Sequence, residues 1–347
     1  MQEKVSLKNS KNFRIYKKYL GFAGFFHFLV DFLPISILYL FYKNDTDFGV
    51  LIVIYNLLAF ATQPFLGYII DKLENKNFYA SVLSIFMSLT GAVLADTTFV
   101  SIAFLGLGNA LFHVSFAKTV LKNARSNFPL GFFISFGVLG LGLGFTFYSK
   151  FLINLFIVIG FLTLIFFFAT YKNAKIECNY SEDSEIKNRK LIIPLFILVI
   201  ISISLRAGIG KVTPSIELFY SYLIVCIVSF VGKMCGGLFN RKFALIISLI
   251  LSTCSLFFIN QDIFTLIFIF SINLLMPTTL DYLRKIFNNY EAFSLGLSAF
   301  FLLVPIYLIM MFEAIDKKLL FVIFVSIHLL ILIILIIFEK FFMKKEA

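Results

Sequence analysis

The sequence predicts an all-α, polytopic membrane protein: twelve transmembrane helices arranged as two six-helix bundles. Three observations point there. The chain of 347 residues is 60% hydrophobic with a mean hydropathy of +0.97, against roughly 45–50% apolar for ordinary soluble domains. Apolar runs near the 20 or so residues needed to cross a bilayer recur along its whole length. One segment of different character, charged and poor in apolar residues, falls at the middle.

In order, the chain opens with a basic tail, 1–18, holding six Lys and Arg. The first apolar run is too long for the core of a secretory signal and lacks a small-residue cleavage site, so it reads as an uncleaved first span. Spans follow at about 19–42, 47–70, 77–95, 97–120, 127–148 and 150–170. The break between the fifth and sixth is the weakest, marked by Lys150 alone. The segment 171–190 carries Glu177, Glu182, Asp183, Glu185 and several Lys, and reads as a solvated linker. Six further spans are expected at about 191–209, 214–238, 243–260, 263–283, 290–312 and 318–340. The domain plan is therefore a tail (1–18), a first bundle (19–170), a linker (171–190) and a second bundle (191–347).

The formal charge of +11 would suggest nucleic acid in a soluble protein. Here it reports topology instead. With the N-terminus inside, 24 of the 30 Lys and Arg are assigned to inside segments and five to outside loops, and Arg206, within a span, is the thirtieth. Basic residues favour the cytoplasmic side, so both termini are expected in the cytoplasm. The four Cys are scattered without a CxxC pair and carry no disulfide or metal signal. A Phe-, Ile-, Lys- and Asn-rich chain without Trp suggests an AT-rich bacterial genome, hence a bacterial plasma membrane.

Polar residues inside the spans mark the candidate site. His27 and Asp31 stand four apart near the middle of the first span and share one helix face. An Asp at mid-membrane costs roughly 2.5–3.5 kcal/mol on insertion scales, and nothing in the apolar surroundings needs it for folding. His113 and Arg206 occupy the fourth and seventh spans. Such residues face the bundle interior and pair with one another. Burial penalises an ionised carboxylate and a nearby cation favours it, so a carboxyl balanced between the two exchanges protons as its surroundings change from dry to wet. Arg206 either binds an anionic group of a substrate or neutralises Asp31. Asn56 and Gln63, seven apart on the second span, share a face that could line a cavity. His328 has no evident partner and reads as a packing residue. Lys211 and Glu217 read as a solvated pair. Pro34, Pro277 and Pro305 interrupt helices and bend them.

The halves carry a faint internal repeat. A shift of 165 positions lays Gly67 on Gly232, Asn75 on Asn240, Phe78 on Phe243 and Gly131 on Gly296. Parallel repeats about an axis along the membrane normal are one transporter plan.

Four motifs resemble those of a known superfamily. Gly67-Tyr-Ile-Ile-Asp71-Lys72, after the second span, resembles the signature loop of the major facilitator superfamily, with Glu74 where a second glycine is usual. His27-Phe-Leu-Val-Asp31 is similar to the first helix of that superfamily's fosmidomycin-resistance-like branch. The run Gly106-Leu-Gly108-Asn-Ala-Leu-Phe-His113 with Lys118 is similar to its fourth helix, with Val114 and Ser115 replacing a proline and a glutamate. Gly137, Gly140 and Gly144 resemble an antiporter glycine pattern, with Phe145 where proline is expected. Arg206 matches a helix-borne arginine of that branch. The resemblance implies a major facilitator fold and proton-coupled efflux of a small polar or amphiphilic compound. His27, Asp31, Asn56, Gln63, His113 and Arg206 would then form the substrate and proton site, and Gly67, Asp71 and Lys72 a gating loop. No cofactor or metal is implied. The partners implied are a small molecule, protons and lipid, without nucleic acid, and the carrier would be a monomer. A membrane-embedded enzyme is the rival, and Gly-x-Ser-x-Gly, His-Glu-x-x-His and Asp-rich motifs are lacking. Uptake by symport, or a non-transporting sensor derived from a carrier, are the other readings.

Overall fold

The structure, a computed structural model, describes residues 2–73, 76–174, 189–216, 220–311 and 316–342. Among these, twelve helical rods follow one another. They are α1 (Gln2–Ile37, carried on as a π turn to Tyr42), α2 (Phe48–Lys72), α3 (Asn77–Val93), α4 (Thr98–Lys122), α5 (Phe128–Thr146) and α6 (Lys150–Tyr171). The second set is α7 (Ile192–Val212), α8 (Ser221–Leu238), α9 (Arg241–Leu256), α10 (Asp262–Ile286), α11 (Glu291–Met311) and α12 (Lys317–Phe342). Ten rods are long and apolar enough to cross a membrane; α3 and α9 have 17 and 16 residues. Most of the expected linker, including Glu177, Glu182, Asp183 and Glu185, lies outside the described residues, as does Glu217.

Each half has its own apolar core. In the first, Tyr19, Phe26, Phe116, Phe167 and Tyr171 stack together. In the second, Val199, Ile203, Phe268, Leu283 and Leu332 are buried in one cluster. The weak break at Lys150 is a real one: α5 ends at Thr146, and the Ser149 side chain accepts a bond from the Leu152 N–H to start α6.

Proline interrupts the backbone bonding of three rods, and in two of them a neighbouring helix makes up the lost bond. A proline lacks the N–H that would bond the carbonyl four residues back. Pro34 leaves the Val30 carbonyl free, and Asn109 of α4 donates to it at 3.1 Å. Pro305 leaves the Phe301 carbonyl free, and Ser204 of α7 donates to it at 3.1 Å. Pro64 follows a π turn, Leu57–Ala61, where Thr62 and Gln63 donate to the Leu58 and Ala59 carbonyls at 2.6 and 2.7 Å. Within a bilayer no water can supply these bonds, so side chains must.

The halves meet through two crossed pairs, α5 with α8 and α2 with α11. Gly131 of α5 lies on the backbone of Lys233 and Gly237, and Gly296 of α11 lies on that of Gln63; a Cβ at either would collide with backbone. Gly67 likewise meets Ala292 and Phe293, as Gly237 meets Asn127 and Phe128. Asn127, Phe128 and Gly131 therefore answer to Ala292, Phe293 and Gly296 at the expected shift of 165, whereas Gln63 and Gly67 answer to Lys233 and Gly237 at 170. The expected match of Gly67 with Gly232 is thus corrected by five positions. Gly232 packs instead on Phe270 and Asn273 within its own half.

Candidate functional site

The site grows out of the proline in α1. The Asn109 amide that repairs the Val30 carbonyl also donates to Asp31 Oδ1 at 2.7 Å. One side chain thus mends the helix and fixes the carboxylate. Across α1 and α5, His27 Nδ1 meets the Phe133 carbonyl at 2.6 Å. His113 Nδ1 meets the Asn109 carbonyl at 2.9 Å. A carbonyl can only accept, so both Nδ1 atoms carry a proton, and in the neutral imidazoles both Nε2 atoms present lone pairs. These two Nε2 atoms face each other at 3.0 Å, and Asp31 Oδ2 stands 3.5 Å from that of His27. His27, Asp31 and His113 therefore form one cluster, buried apart from the partly exposed carboxylate. Gly137 of α5 makes room for it, since a Cβ there would strike Asp31 Oδ2 and His27 Nε2.

The second half offers a cavity of about 230 Å³ lined by Arg206, Ser229, Lys233, Asn273 and Met276 among others. Arg206 is 6% exposed, with its guanidinium Nη1 3.4 Å from Thr279 Oγ1 and Nη2 without a hydrogen-bond partner among the described residues. Lys233 lies within electrostatic reach of Arg206 on one side and Asp31 on the other. Two cations thus share a cavity whose lining carries no carboxylate, and its electrostatics favour a negatively charged occupant.

At one end of the molecule the halves are bolted together. Asp71 Oδ1 and Oδ2 accept from the Ala292 and Phe293 N–H groups at 3.1 and 2.8 Å, at the positive N-terminus of α11. Lys72 Nζ reaches Tyr290 Oη at 3.0 Å. Lys118 Nζ donates to the Ile70 and Asp71 carbonyls at 2.7 and 3.2 Å, closing the end of α2. From the other half, Arg284 Nη1 donates to the Leu121 and Ala124 carbonyls, both at 3.0 Å, where α4 ends. Behind it, Asp281 and Glu339 hold Arg241 at 2.6 and 2.8 Å.

No family model matches the sequence, and no curated protein matches it either. Solved structures do. A Major Facilitator Superfamily transporter, FucP, in the outward conformation is similar at a TM-score of 0.65 and 12% identity, covering 95% of this chain and 100% of that one. A variant of the E. coli fucose:proton symporter FucP matches at 0.65 and 11% over the same shares. A bacterial homologue of the iron transporter ferroportin, in an outward-facing state, matches at 0.55 and 11%, covering 92% and 98%. The fold is that of the major facilitator superfamily. Twelve helices in two halves is the architecture the sequence predicts.

Within this major facilitator fold, the expected site residues separate into three places. His27, Asp31 and His113 come together, and Arg206 lies in the cavity of the opposite half. Asp71 and Lys72 join the halves at one end, with Gly67 pressed on α11 beside them. Asn56 is half-buried on α2. Gln63 is fully buried against Gly296, its Nε2 spent on Ala59, and faces the α2–α11 seam. Lys211 is exposed, and His328 is buried without a hydrogen-bond partner among the described residues. Three contributors were not among the expected site residues: Asn109, Lys233 and Gly137, the last read only as part of a glycine pattern. Lys233 was counted among the inside-loop cations although it falls within the expected eighth span; its place inside that span was the available signal. Asn109 offered only its position four before His113.

Proposed function

We propose that the chain is a secondary active transporter that moves a small polar or amphiphilic compound against protons by alternating access. One observation carries this reading: two imidazole lone pairs, 3.0 Å apart and beside a carboxylate, form a buried seat for one shared proton. Lys233 links that seat electrostatically to the Arg206 cavity, so a negatively charged group on the solute is favoured there. Proton and solute thereby sense each other, as coupling requires. Similarity to transporters, and the lack of hydrolase motifs, favour a carrier over a lipid-modifying enzyme.

In this reading the Asp71–α11 and Arg284–α4 contacts form the cytoplasmic gate, shut in the arrangement described. Both termini lie in the cytoplasm of a bacterial cell, and the working unit is a monomer. Resemblance to the fosmidomycin-resistance-like branch favours efflux by antiport; symport, the coupling named for FucP, uses the same parts.

Purified protein in liposomes containing a pH-sensitive dye, challenged with a solute library, tests it. Proton-linked flux is expected for the wild type, and Asp31→Asn should leave solute exchange but remove its pH dependence. Full retention of the pH response in that variant would sink the coupling site. The direction of the pH change separates antiport from symport.

A further inference from the structure

The His27–His113 contact leaves something unaccounted for. Two nitrogen lone pairs pointing at each other at 3.0 Å repel unless a positive species lies between them. A proton is one such species. A metal ion is another, and the surroundings are built as a metal site would be.

Each imidazole has its Nδ1–H committed to a backbone carbonyl, His27 to Phe133 and His113 to Asn109. That outer contact fixes the tautomer and turns Nε2 inward, the arrangement metal-bound histidines use. Asp31 is the third donor, oriented by the Asn109 amide. Ligands about 2.0–2.2 Å from one ion lie about 2.8–3.5 Å apart. The His27–His113 and His27–Asp31 separations of 3.0 and 3.5 Å fall within that range. The three donor atoms all lie within 4.8 Å of one another, so His113 and Asp31 need only a small approach. Gly137 keeps the site clear of a side chain that would fill it.

We propose that His27, His113 and Asp31 form a binding site for a divalent first-row transition-metal ion such as zinc, cobalt or nickel. Imidazole nitrogens select such ions, while calcium and magnesium take oxygen ligands. Three protein ligands leave a coordination position for water or solute. The groups facing the cluster from other elements are Lys233 of α8, Tyr55 of α2 and Tyr222 of α8. Only Lys233 is cationic, and it opposes a dication; Asp31 supplies the balancing charge. Metal binding itself rests on the geometry alone. Competition between metal and coupling proton rests on the carrier reading above.

The test uses the full chain in nanodiscs, freed of any histidine tag and stripped with a chelator. Cobalt(II) reports its ligands by visible absorption, and zinc binding is read by calorimetry. One equivalent of each should bind. His113→Ala should weaken binding at least about tenfold, the low end of what losing even an outer-shell partner costs. The carbonyl that His113 bonds lies in its own helix, and the bond from His27 to the Phe133 carbonyl does not involve His113, so this variant keeps the α1–α5 contact. Asp31→Asn should weaken binding too, and Lys233→Gln should tighten it by removing a like charge. The chain has three histidines, so His328→Leu is the control and should leave binding unchanged. No bound cobalt or zinc in the wild type, or equal affinity in His113→Ala, overturns the site. Metal binding without proton-linked flux would retain the site and discard the carrier reading; proton flux without metal binding would do the reverse.

Discussion

Replacing Asp71 by Asn should loosen the end of the molecule where the halves are joined. The carboxylate accepts two backbone N–H bonds from the first turn of α11, at 3.1 and 2.8 Å, and is 9% exposed. Hydrogen bonds to a charged group contribute a net of about 1.5–3 kcal/mol each, and a helix N-terminus adds about 0.3–1 kcal/mol for a nearby anion. An amide of the same shape keeps one acceptor and loses the charge. Allowing for non-additivity, the loss is about 2 kcal/mol, or about 30-fold in the equilibrium between joined and separated ends. Ala292 reports that equilibrium. It is 0% exposed and packs with Ile70 and Val114 of the other half. In a chain whose native cysteines are replaced, a cysteine at 292 should react with a soluble maleimide about 30-fold faster when Asp71 is also Asn. An unchanged labelling rate would refute the reasoning, because the bonds would then not be holding the halves together. A fall in melting temperature with no change in labelling would assign Asp71 to folding instead.

Two further outcomes follow from buried contacts. Gly137→Ala drives a methyl group into Asp31 Oδ2 and His27 Nε2; overpacking costs about 1–3 kcal/mol, so the protein should still fold while solute exchange in liposomes collapses. Arg241→Ala strips the cation from Glu339, whose side chain is 6% exposed, while Asp281 keeps Arg284 at 2.6 Å. Unpairing buried charge costs about 3–5 kcal/mol, so the thermal midpoint should drop sharply, and adding Glu339→Gln should recover part of it.

The seam between the halves illustrates how far residue patterns reach. Asp71 stood out in the sequence as part of the Gly67–Lys72 resemblance, which implies a gating loop. Which helix it meets depended on the crossed pairing of α2 with α11, more than two hundred residues away. The repeat was visible at Gly131 and Gly296, where both glycines answer to the same need for close backbone approach. It was misaligned at Gly67, because α2 runs five residues past Gly67 whereas α8 ends one residue past Gly237 and its turn is shorter, and an ungapped shift cannot follow such a change.

The site was legible to the extent that charge in oil is legible. His27, Asp31, His113 and Arg206 stand out because each is costly within an apolar span. Asn109 does not stand out, and Gly137 does so only as one of a run of glycines, since an amide and a glycine are common in membrane helices. Their roles exist only where Pro34 frees the Val30 carbonyl and where α5 crosses α1. No metal was expected because ligand spacing along the chain showed no pattern; the donors come from two helices and meet only after packing.

Composition and hydropathy by themselves determined that the chain is a set of membrane-crossing helices, because transfer into lipid is a sum over local residues. The same local costs picked out the few polar side chains that need a partner. Which partners they find was decided only by tertiary packing. Hydrogen bonds and lone-pair contacts act within about 3 Å, and that precision comes from how helices far apart in sequence cross.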